Sequence, residues 1–72
     1  MENRFEDFIT WIRKMQVAGQ WTSPLKWDVN GRAYVSVSTP IERRDWHVPV
    51  KISRNEAEYI ADELDIEVEE LR

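Results

Sequence analysis

The sequence contains no cysteine and one histidine, His47. Without cysteine the chain can form neither a disulfide framework nor a thiolate metal cluster, so its stability must come from packing. His47 with scattered carboxylates matches no metal-ligand spacing, and the side chains that enzymes most often use as nucleophile or base are nearly absent. We therefore expect a protein that is not an enzyme, with no catalytic residues, no metal and no cofactor.

Long apolar runs are absent as well. Residues 1–7 are charged and have no apolar export core, and no run elsewhere approaches the length of a membrane span. The chain has 72 residues, of which 42% are hydrophobic and 11% aromatic, which is enough for one small core and too apolar for a disordered tail. We expect one folded domain over residues 1–72, located in the cytoplasm and without a membrane partner.

The net charge of −4 conceals an uneven distribution. Residues 24–54 contain six basic and three acidic residues, whereas residues 55–72 contain eight acidic residues and one arginine. A segregated charge of this kind directs partners of opposite sign to different surfaces.

The first segment has apolar residues at helical spacing, namely Phe5, Phe8, Ile9, Ile12 and Met15. This spacing predicts an amphipathic helix over about residues 4–18. Asn3, three residues before a glutamate, resembles the start of a capping box, and Gly19 is placed to end the helix. Trp11 lies at the margin of the apolar stripe and is expected to be half-buried, and Trp21 is expected to fold back onto the core.

Two alternating runs follow, with apolar residues Leu25, Trp27 and Val29 in the first and Ala33, Val35 and Val37 in the second. They predict two half-buried strands joined by a hairpin at Asn30-Gly31. A two-residue turn would place the two apolar rows on opposite faces. A loop over residues 29–31 with a left-handed Gly31 instead sets Trp27 opposite Ala33, and we predict that register.

A polar loop from Thr39 to Asp45 is expected to lead to a third strand, with Trp46, Val48, Val50 and Ile52 on one face. Pro49 has no N–H for a ladder, so this strand is expected at a sheet edge.

The second helix is predicted from the capping box that Ser53 and Glu56 form and from the apolar stripe Ala57, Ile60, Ala61 and Leu64. Its end is open to two interpretations. An unbroken helix continues the stripe to Leu71, whereas a bend at Asp65 lets Ile66 reach the core, and we favour the bend.

These elements predict an α+β fold in the order α-β-β-β-α, a three-stranded antiparallel β-meander with both helices on one face. The predicted core residues are Phe8, Ile12, Trp27, Val35, Trp46, Val48, Val50, Ile60 and Leu64.

This order and length resemble the double-stranded-RNA-binding-domain fold, which small HicA-type toxins share, and residues 53–57 are similar to the start of that family's second helix. The resemblance implies the fold of that family. Its RNA-binding members place lysines in the first turn of helix two and a histidine after the first strand, whereas this chain has Asn55, Glu56 and Glu58 at the helix start and no histidine in residues 29–31. With the exception of Arg54, the RNA-binding residues therefore do not carry over, and neither does the toxin's catalytic histidine.

The acidic second helix is the first candidate interaction surface. Its candidate contact residues are Glu56, Asp62, Glu63, Glu67 and Glu70. Their negative field suits a basic protein surface such as a nucleic-acid-binding groove, and small viral inhibitors of host defence have this charge character. We therefore predict a protein-binding regulator or inhibitor that docks through helix two on a basic protein surface.

The outer face of the sheet is the second candidate. Its residues are Lys26, Arg32, Tyr34, Arg43, Arg44 and Lys51. Basic residues around an aromatic ring are the ingredients of a nucleic-acid platform, so the alternative function is a nucleic-acid-binding domain that uses this face and the Arg43-Arg44 loop. Ordinary solvated charge also explains either surface. The sequence leaves open whether the protein is a monomer or a homodimer.

Overall fold

The structure of the protein, a computed structural model, describes residues 5–69. It is an α+β fold with two helices and an antiparallel sheet. The elements are α1 (Glu6–Val17), β1 (Trp21–Thr22), β2 (Lys26–Trp27), β3 (Ala33–Ser38), β4 (Arg43–His47) and α2 (Arg54–Leu64).

The first helix forms as its apolar stripe predicts, and it buries Phe8, Ile9 and Ile12. It ends where Gly19 adopts a positive φ of 86°, with the N–H of Gly19 donating to the carbonyl of Gln16 at 3.0 Å. A residue without a side chain adopts this left-handed conformation at little cost. The capping box predicted from Asn3 lies outside the described residues.

The hairpin between β2 and β3 has the predicted register. Trp27 is paired with Ala33, Gly31 has a φ of 81°, and the N–H of Asp28 donates to the carbonyl of Arg32 at 2.9 Å. The Asp28 carboxylate also accepts from the N–H groups of Asn30 and Arg32, at 2.8 and 2.9 Å. The side chain that precedes the loop therefore fixes its conformation.

The first row of the sheet consists of two short strands, β1 and β2. The predicted first strand corresponds to β2 alone, and the predicted three-stranded meander did not include β1. Both β1 and β2 pair with the same edge of β3. Three residues separate Thr22 from Lys26, whereas two residues separate their partners Val37 and Tyr34, so the first row has one extra residue, as in a β-bulge. Pro24 lies within this bulge, where its missing N–H costs no ladder bond. Trp21 lies in β1 with 56% of its surface exposed, so its predicted return to the core is wrong.

Ser23 keeps the first row attached to β3 across the bulge. Its N–H donates to the carbonyl of Ser36, and its hydroxyl accepts from the N–H of Ser36, both at 2.9 Å. Both serines are buried. A buried polar side chain is stable here because each group has a hydrogen-bond partner.

The third row begins and ends earlier than the sequence predicts. β4 covers Arg43–His47, so the polar loop is only residues 39–42, and Val50 and Ile52 follow the strand rather than forming part of it. Pairing with β3 determines the start, since Arg43 and Arg44 are registered against Ser38 and Val37. The N–H of Val48 makes a last bond to Ala33 at 2.9 Å, and Pro49 then has none to donate.

Both ends of α2 follow the prediction. Ser53 and Glu56 form the capping box, and Asp65 ends the helix in the left-handed region with a φ of 56°. The N–H of Ile66 donates to the carbonyl of Ala61 at 2.9 Å, which is the long bond of a Schellman motif. The predicted bend is confirmed, and it turns Ile66 towards the core.

The chain after this bend runs beside the first row of the sheet. Leu25 donates to the carbonyl of Glu67 and accepts from the N–H of Glu69, both at 2.8 Å, which makes a parallel bridge between Leu25 and Val68. The backbone groups of Leu25 that face away from β3 are thereby satisfied.

The core lies between the helices and the sheet. Its buried apolar residues are Phe8, Ile9, Ile12, Leu25, Ala33, Val35, Val37, Val48, Ala57, Ile60 and Leu64. Trp27, Trp46 and Val50 were predicted to be buried with the other core residues, but they are half-buried and pack against the core from its margin.

An isoleucine pair tests this core. Ile60 is fully buried in α2 and Ile41 is 93% exposed in the loop before β4. Changing Ile60→Ala should lower the free energy of unfolding by about 3 kcal/mol, because it removes buried methylene groups and leaves a cavity. Ile41→Ala should change it by less than about 0.5 kcal/mol. Urea unfolding of both variants measures the difference, and equal midpoints would contradict the core assignment.

A glycine pair tests the left-handed helix end. Asp65→Gly should raise the free energy of unfolding by about 0.5 kcal/mol, because glycine has no side-chain penalty at this φ. The same change at Asp62, an exposed position inside α2, should lower it by about 0.3 kcal/mol, because glycine is less favourable than aspartate inside a helix. Thermal unfolding followed by circular dichroism separates the two, and a loss at both positions would show that Asp65 is not strained.

Candidate interaction surfaces

The acidic residues predicted on α2 have different structural roles. Glu56 is occupied at the helix start, where its Oε1 accepts from the N–H of Ser53 at 2.8 Å. Glu63 contacts α1, since Nη2 of Arg13 lies 3.3 Å from its Oε1 and 2.7 Å from its carbonyl oxygen. Asp62 is exposed, and its side chain has no polar partner among residues 5–69.

The remaining two predicted acidic contacts do not lie on the helix. Glu67 is in the extended segment beside Leu25, to which its carbonyl is bonded, because the left-handed Asp65 has turned the chain. Glu70 lies outside the described residues. The structure thus groups Glu56, Asp62 and Glu63 and separates Glu67 from them.

Tyr59 and Glu6 complete the acidic group. The Tyr59 hydroxyl donates to Oε1 of Glu6 at 3.3 Å, its ring lies 5.9 Å from that of Phe5, and 42% of its surface is exposed. Residues three and four apart share one side of a helix, so Glu56, Asp62 and Glu63 lie around Tyr59. We call Glu6, Glu56, Tyr59, Asp62 and Glu63 the acidic surface.

The electrostatic field of this surface acts on the tyrosine. The pKa of Tyr59 is raised above its ordinary value, first by the negative charge of Glu6, then by partial burial and by the charge of Glu63. A phenolate would add a further negative charge beside these carboxylates, so the neutral hydroxyl is favoured. Sequence reasoning missed Glu6, because only the packing of α1 against α2 brings it to Tyr59.

On the outer face of the sheet, three side chains form a row that crosses the strands. Lys26 in β2 is registered with Tyr34 in β3, and Tyr34 is registered with His47 in β4. The rings of Tyr34 and His47 stack with centroids 5.1 Å apart. Nε2 of His47 lies 3.3 Å from Oδ2 of Asp28. The pKa of Asp28 is lowered, chiefly because the backbone N–H of Arg32 donates to its carboxylate.

The other residues of the predicted nucleic-acid set do not join this row. Arg32 donates to the carbonyl of Val48 at 2.8 Å, and Lys51 lies beyond the end of β4. Arg43 and Arg44 are neighbours in a strand rather than in a loop, so their side chains point to opposite faces of the sheet. The structure therefore separates the two arginines that the sequence placed together.

A carboxylate also lies on this outer face. Asp45 is registered with Ser36, whose hydroxyl donates to its Oδ1 at 2.7 Å. Together with Asp28 it offsets the charge of the lysine and arginine side chains. The outer face is consequently mixed in charge rather than uniformly basic.

Two tryptophans stack where α1 meets β4, an arrangement that the sequence did not predict. The rings of Trp11 and Trp46 have centroids 6.3 Å apart and an interplanar angle of 13°. Nζ of Lys14 lies 5.5 Å from the Trp11 ring, and the guanidinium of Arg44 lies 5.9 Å from the Trp46 ring. Trp11 is 55% exposed, more than the half-buried position predicted for it. We call these four residues the tryptophan cluster.

Comparison with family models, curated proteins and solved structures finds no match for this chain. The resemblance to the double-stranded-RNA-binding-domain fold therefore stays a prediction. Within residues 5–69, no group of three or more histidines and carboxylates is placed to hold a metal ion. No helix in this part of the chain is long and apolar enough to cross a membrane.

Titration of Tyr59 tests the electrostatic effect of the acidic surface. We expect Tyr59 to titrate above 10.0, and Glu6→Gln to move its pKa back towards that value, because the first cause of the shift is removed. The hydrogen bond to Glu6 stabilises the fold below the unfolded pKa of tyrosine and is lost as pH rises through the folded pKa. NMR titration of the Tyr59 ring measures both values. Glu42→Gln, in the loop before β4, is the control, and an equal shift there would contradict a local cause.

Proposed function

We propose that the protein is a non-enzymatic protein-binding module that docks through the acidic surface on a basic surface of its partner. The observation that carries the proposal is the exposed Tyr59 at the centre of carboxylates from both helices. Tyrosine is enriched among the residues that contribute most to protein interfaces, and surrounding charges direct association and select the partner.

The acidic surface is held in place before any partner arrives. Glu56 is fixed by the helix cap, Glu63 by its contact with Arg13, and Tyr59 by its bond to Glu6. Side chains that are already ordered lose little conformational entropy on binding. Asp62 remains available for a partner cation.

The sign of the surface favours protein over nucleic acid. Phosphate groups are repelled by a cluster of carboxylates, whereas the basic groove of a nucleic-acid-handling protein is attracted to it. This supports a regulator or inhibitor that occupies such a groove. The second candidate is nucleic-acid binding on the outer face, and the row formed by Lys26, Tyr34 and His47 is the observation in its favour.

A charge-reversal pair tests the proposal. The tagged full chain is used to capture proteins from extracts of cells that express it naturally, with and without nuclease treatment, and the captured proteins are quantified by mass spectrometry. Asp62→Lys should reduce capture of the principal partner by about 10-fold or more, because like charges then face each other. Glu42→Lys makes the same change in net charge on an exposed loop and should reduce capture by less than about 2-fold.

A second pair of variants separates the two candidate functions. Tyr59→Ala should also reduce capture by about 10-fold, whereas Lys26→Gln with Lys51→Gln should leave it unchanged. If nuclease treatment abolishes capture, and only the Lys26 and Lys51 changes prevent binding to RNA or DNA, the nucleic-acid function replaces the proposed one. Circular dichroism of every variant confirms that the fold is retained.

A further inference from the structure

β4 has a free edge. In an antiparallel pair, hydrogen-bonded and non-hydrogen-bonded residues alternate, and the bonds from Val48 to Ala33 and from Thr39 to Glu42 fix which residues of β4 bond to β3. The N–H and C=O groups of Arg43, Asp45 and His47 consequently face away from β3. Among residues 5–69, β3 is the partner strand of β4, and no strand pairs with this outer edge.

The tryptophan cluster borders this edge on the helix side. Trp46 alternates with the outward-facing backbone groups, and the ring of Trp11 stacks on that of Trp46. A groove between α1 and the sheet continues this surface, lined by Met15, Gln20, Val37, Thr39, Glu42, Arg44 and Trp46. An added strand would place every second side chain against these rings.

Three cations lie around this edge. Arg43 lies on the outer side of β4, and Arg44 and Lys14 lie on the helix side. Across residues 5–69, none of the three forms a salt bridge, and the contacts of Arg44 and Lys14 are with the tryptophan rings. A carboxylate of a partner can therefore pair with Arg44 or Lys14 on the helix side of β4, and with Arg43 on the outer side, which Arg43 shares with Asp45.

We propose that the edge of β4 and the tryptophan cluster form a second docking site, which takes an extended acidic segment of a partner protein as an added β-strand. The main chain of the segment bonds to Arg43, Asp45 and His47. Its apolar side chains on the helix side pack on Trp11 and Trp46. Its carboxylates pair with the cations on either side of the edge.

Charge complementarity favours this occupant over a second copy of the chain. β4 holds two arginines and one aspartate, so a second β4 on the same edge would add charge of the same sign. Like charges on facing strands are destabilising, whereas an acidic segment neutralises them. The site is separate from the acidic surface, and the variants that test the two sites do not overlap.

The test selects the segment rather than assuming its sequence. A phage-displayed library of random nine-residue peptides is selected against the immobilised full chain. The enriched peptides should contain acidic residues, with apolar or aromatic residues at alternate positions. A synthetic copy with alternate amides N-methylated should bind at least 10-fold more weakly, because it lacks the main-chain donors that strand addition requires. Enrichment of basic peptides, or equal binding after N-methylation, overturns the proposal.

A matched tryptophan pair locates the site on the protein. Trp11 and Trp21 are 55% and 56% exposed, and Trp21 lies in the first row of the sheet, on the far side of β3 from β4. Trp11→Ala should weaken peptide binding by about 10-fold, whereas Trp21→Ala should change it by less than about 2-fold. An equal loss in both variants, or no loss at Trp11, overturns the assignment.

The free edge has a test of its own. Asp45→Pro removes an outward-facing N–H and no backbone bond to β3, but it also removes the acceptor of the Ser36 hydroxyl. Asp45→Ala removes the same acceptor and keeps the N–H, so Asp45→Pro should bind the peptide at least 10-fold more weakly than Asp45→Ala, while both retain the circular dichroism spectrum of the fold. In the wild-type complex, the amide protons of Arg43, Asp45 and His47 should become protected from hydrogen exchange. If Asp45→Pro unfolds the chain, the protection pattern decides: exchange that stays unprotected overturns the proposal. The proposal is also overturned if sedimentation of the free protein shows a dimer whose interface is the edge of β4, because a second copy of the chain would then be the occupant.

Discussion

β3 is hydrogen-bonded along both edges, and the surfaces of the protein depend on this double pairing. Because side chains alternate along a strand, burial of Ala33, Val35 and Val37 beneath the helices forces Tyr34 and Ser36 onto the opposite face. The neighbouring rows take their orientation from the same register. Lys26 and His47 therefore join Tyr34 on the outer face, and Trp46 joins Val35 on the helix side.

One edge of the sheet is covered and the other is exposed, because of the way in which α2 ends at Asp65. Its left-handed conformation directs the chain past the first row, where Glu67 and Glu69 satisfy the outward-facing backbone groups of Leu25. β4 receives no equivalent cover from residues 5–69. Natural proteins protect exposed edges with charged residues, short strands and proline, and β4 combines all three with Arg43 at its start and Pro49 just beyond its end. An edge protected in this way resists random aggregation while still offering donors and acceptors to a complementary strand.

Opposite charges are concentrated in different parts of the fold. The acidic surface is assembled from α1 and α2, and the contact of Arg13 with Glu63 joins the two helices close to it. The basic side chains are divided between the faces of the sheet, because adjacent residues of a strand point in opposite directions. This division explains why Arg43 and Arg44 do not form one basic patch, and why Arg44 meets Trp46 instead. The acidic surface and the β4 edge therefore have no residue in common.

Features that depend on neighbouring residues were predictable from the sequence. The left-handed Gly31 and the facing of Trp27 to Ala33 follow from matching two alternating runs across a short loop, and the start of α2 follows from Ser53 and Glu56. The bend that turns Ile66 inward was predictable for the same reason, since an apolar residue on the solvent side of a helix signals a change of direction. In each case the geometry arises from a few covalently linked groups, so the local pattern carries the necessary information.

Features that depend on contacts between secondary-structure elements were decided by the tertiary structure alone. Arg43 and Arg44 have no apolar alternation, and they are extended because β3 supplies hydrogen-bond partners to the strand. Glu6 reaches Tyr59 only because α1 packs against α2. Stacking of Trp11 on Trp46 likewise requires the helix and the edge strand to meet. The sequence by itself determined the helices, the hairpin register and the total charge. The acidic surface and the tryptophan cluster were decided by packing between residues tens of positions apart, which no local pattern encodes.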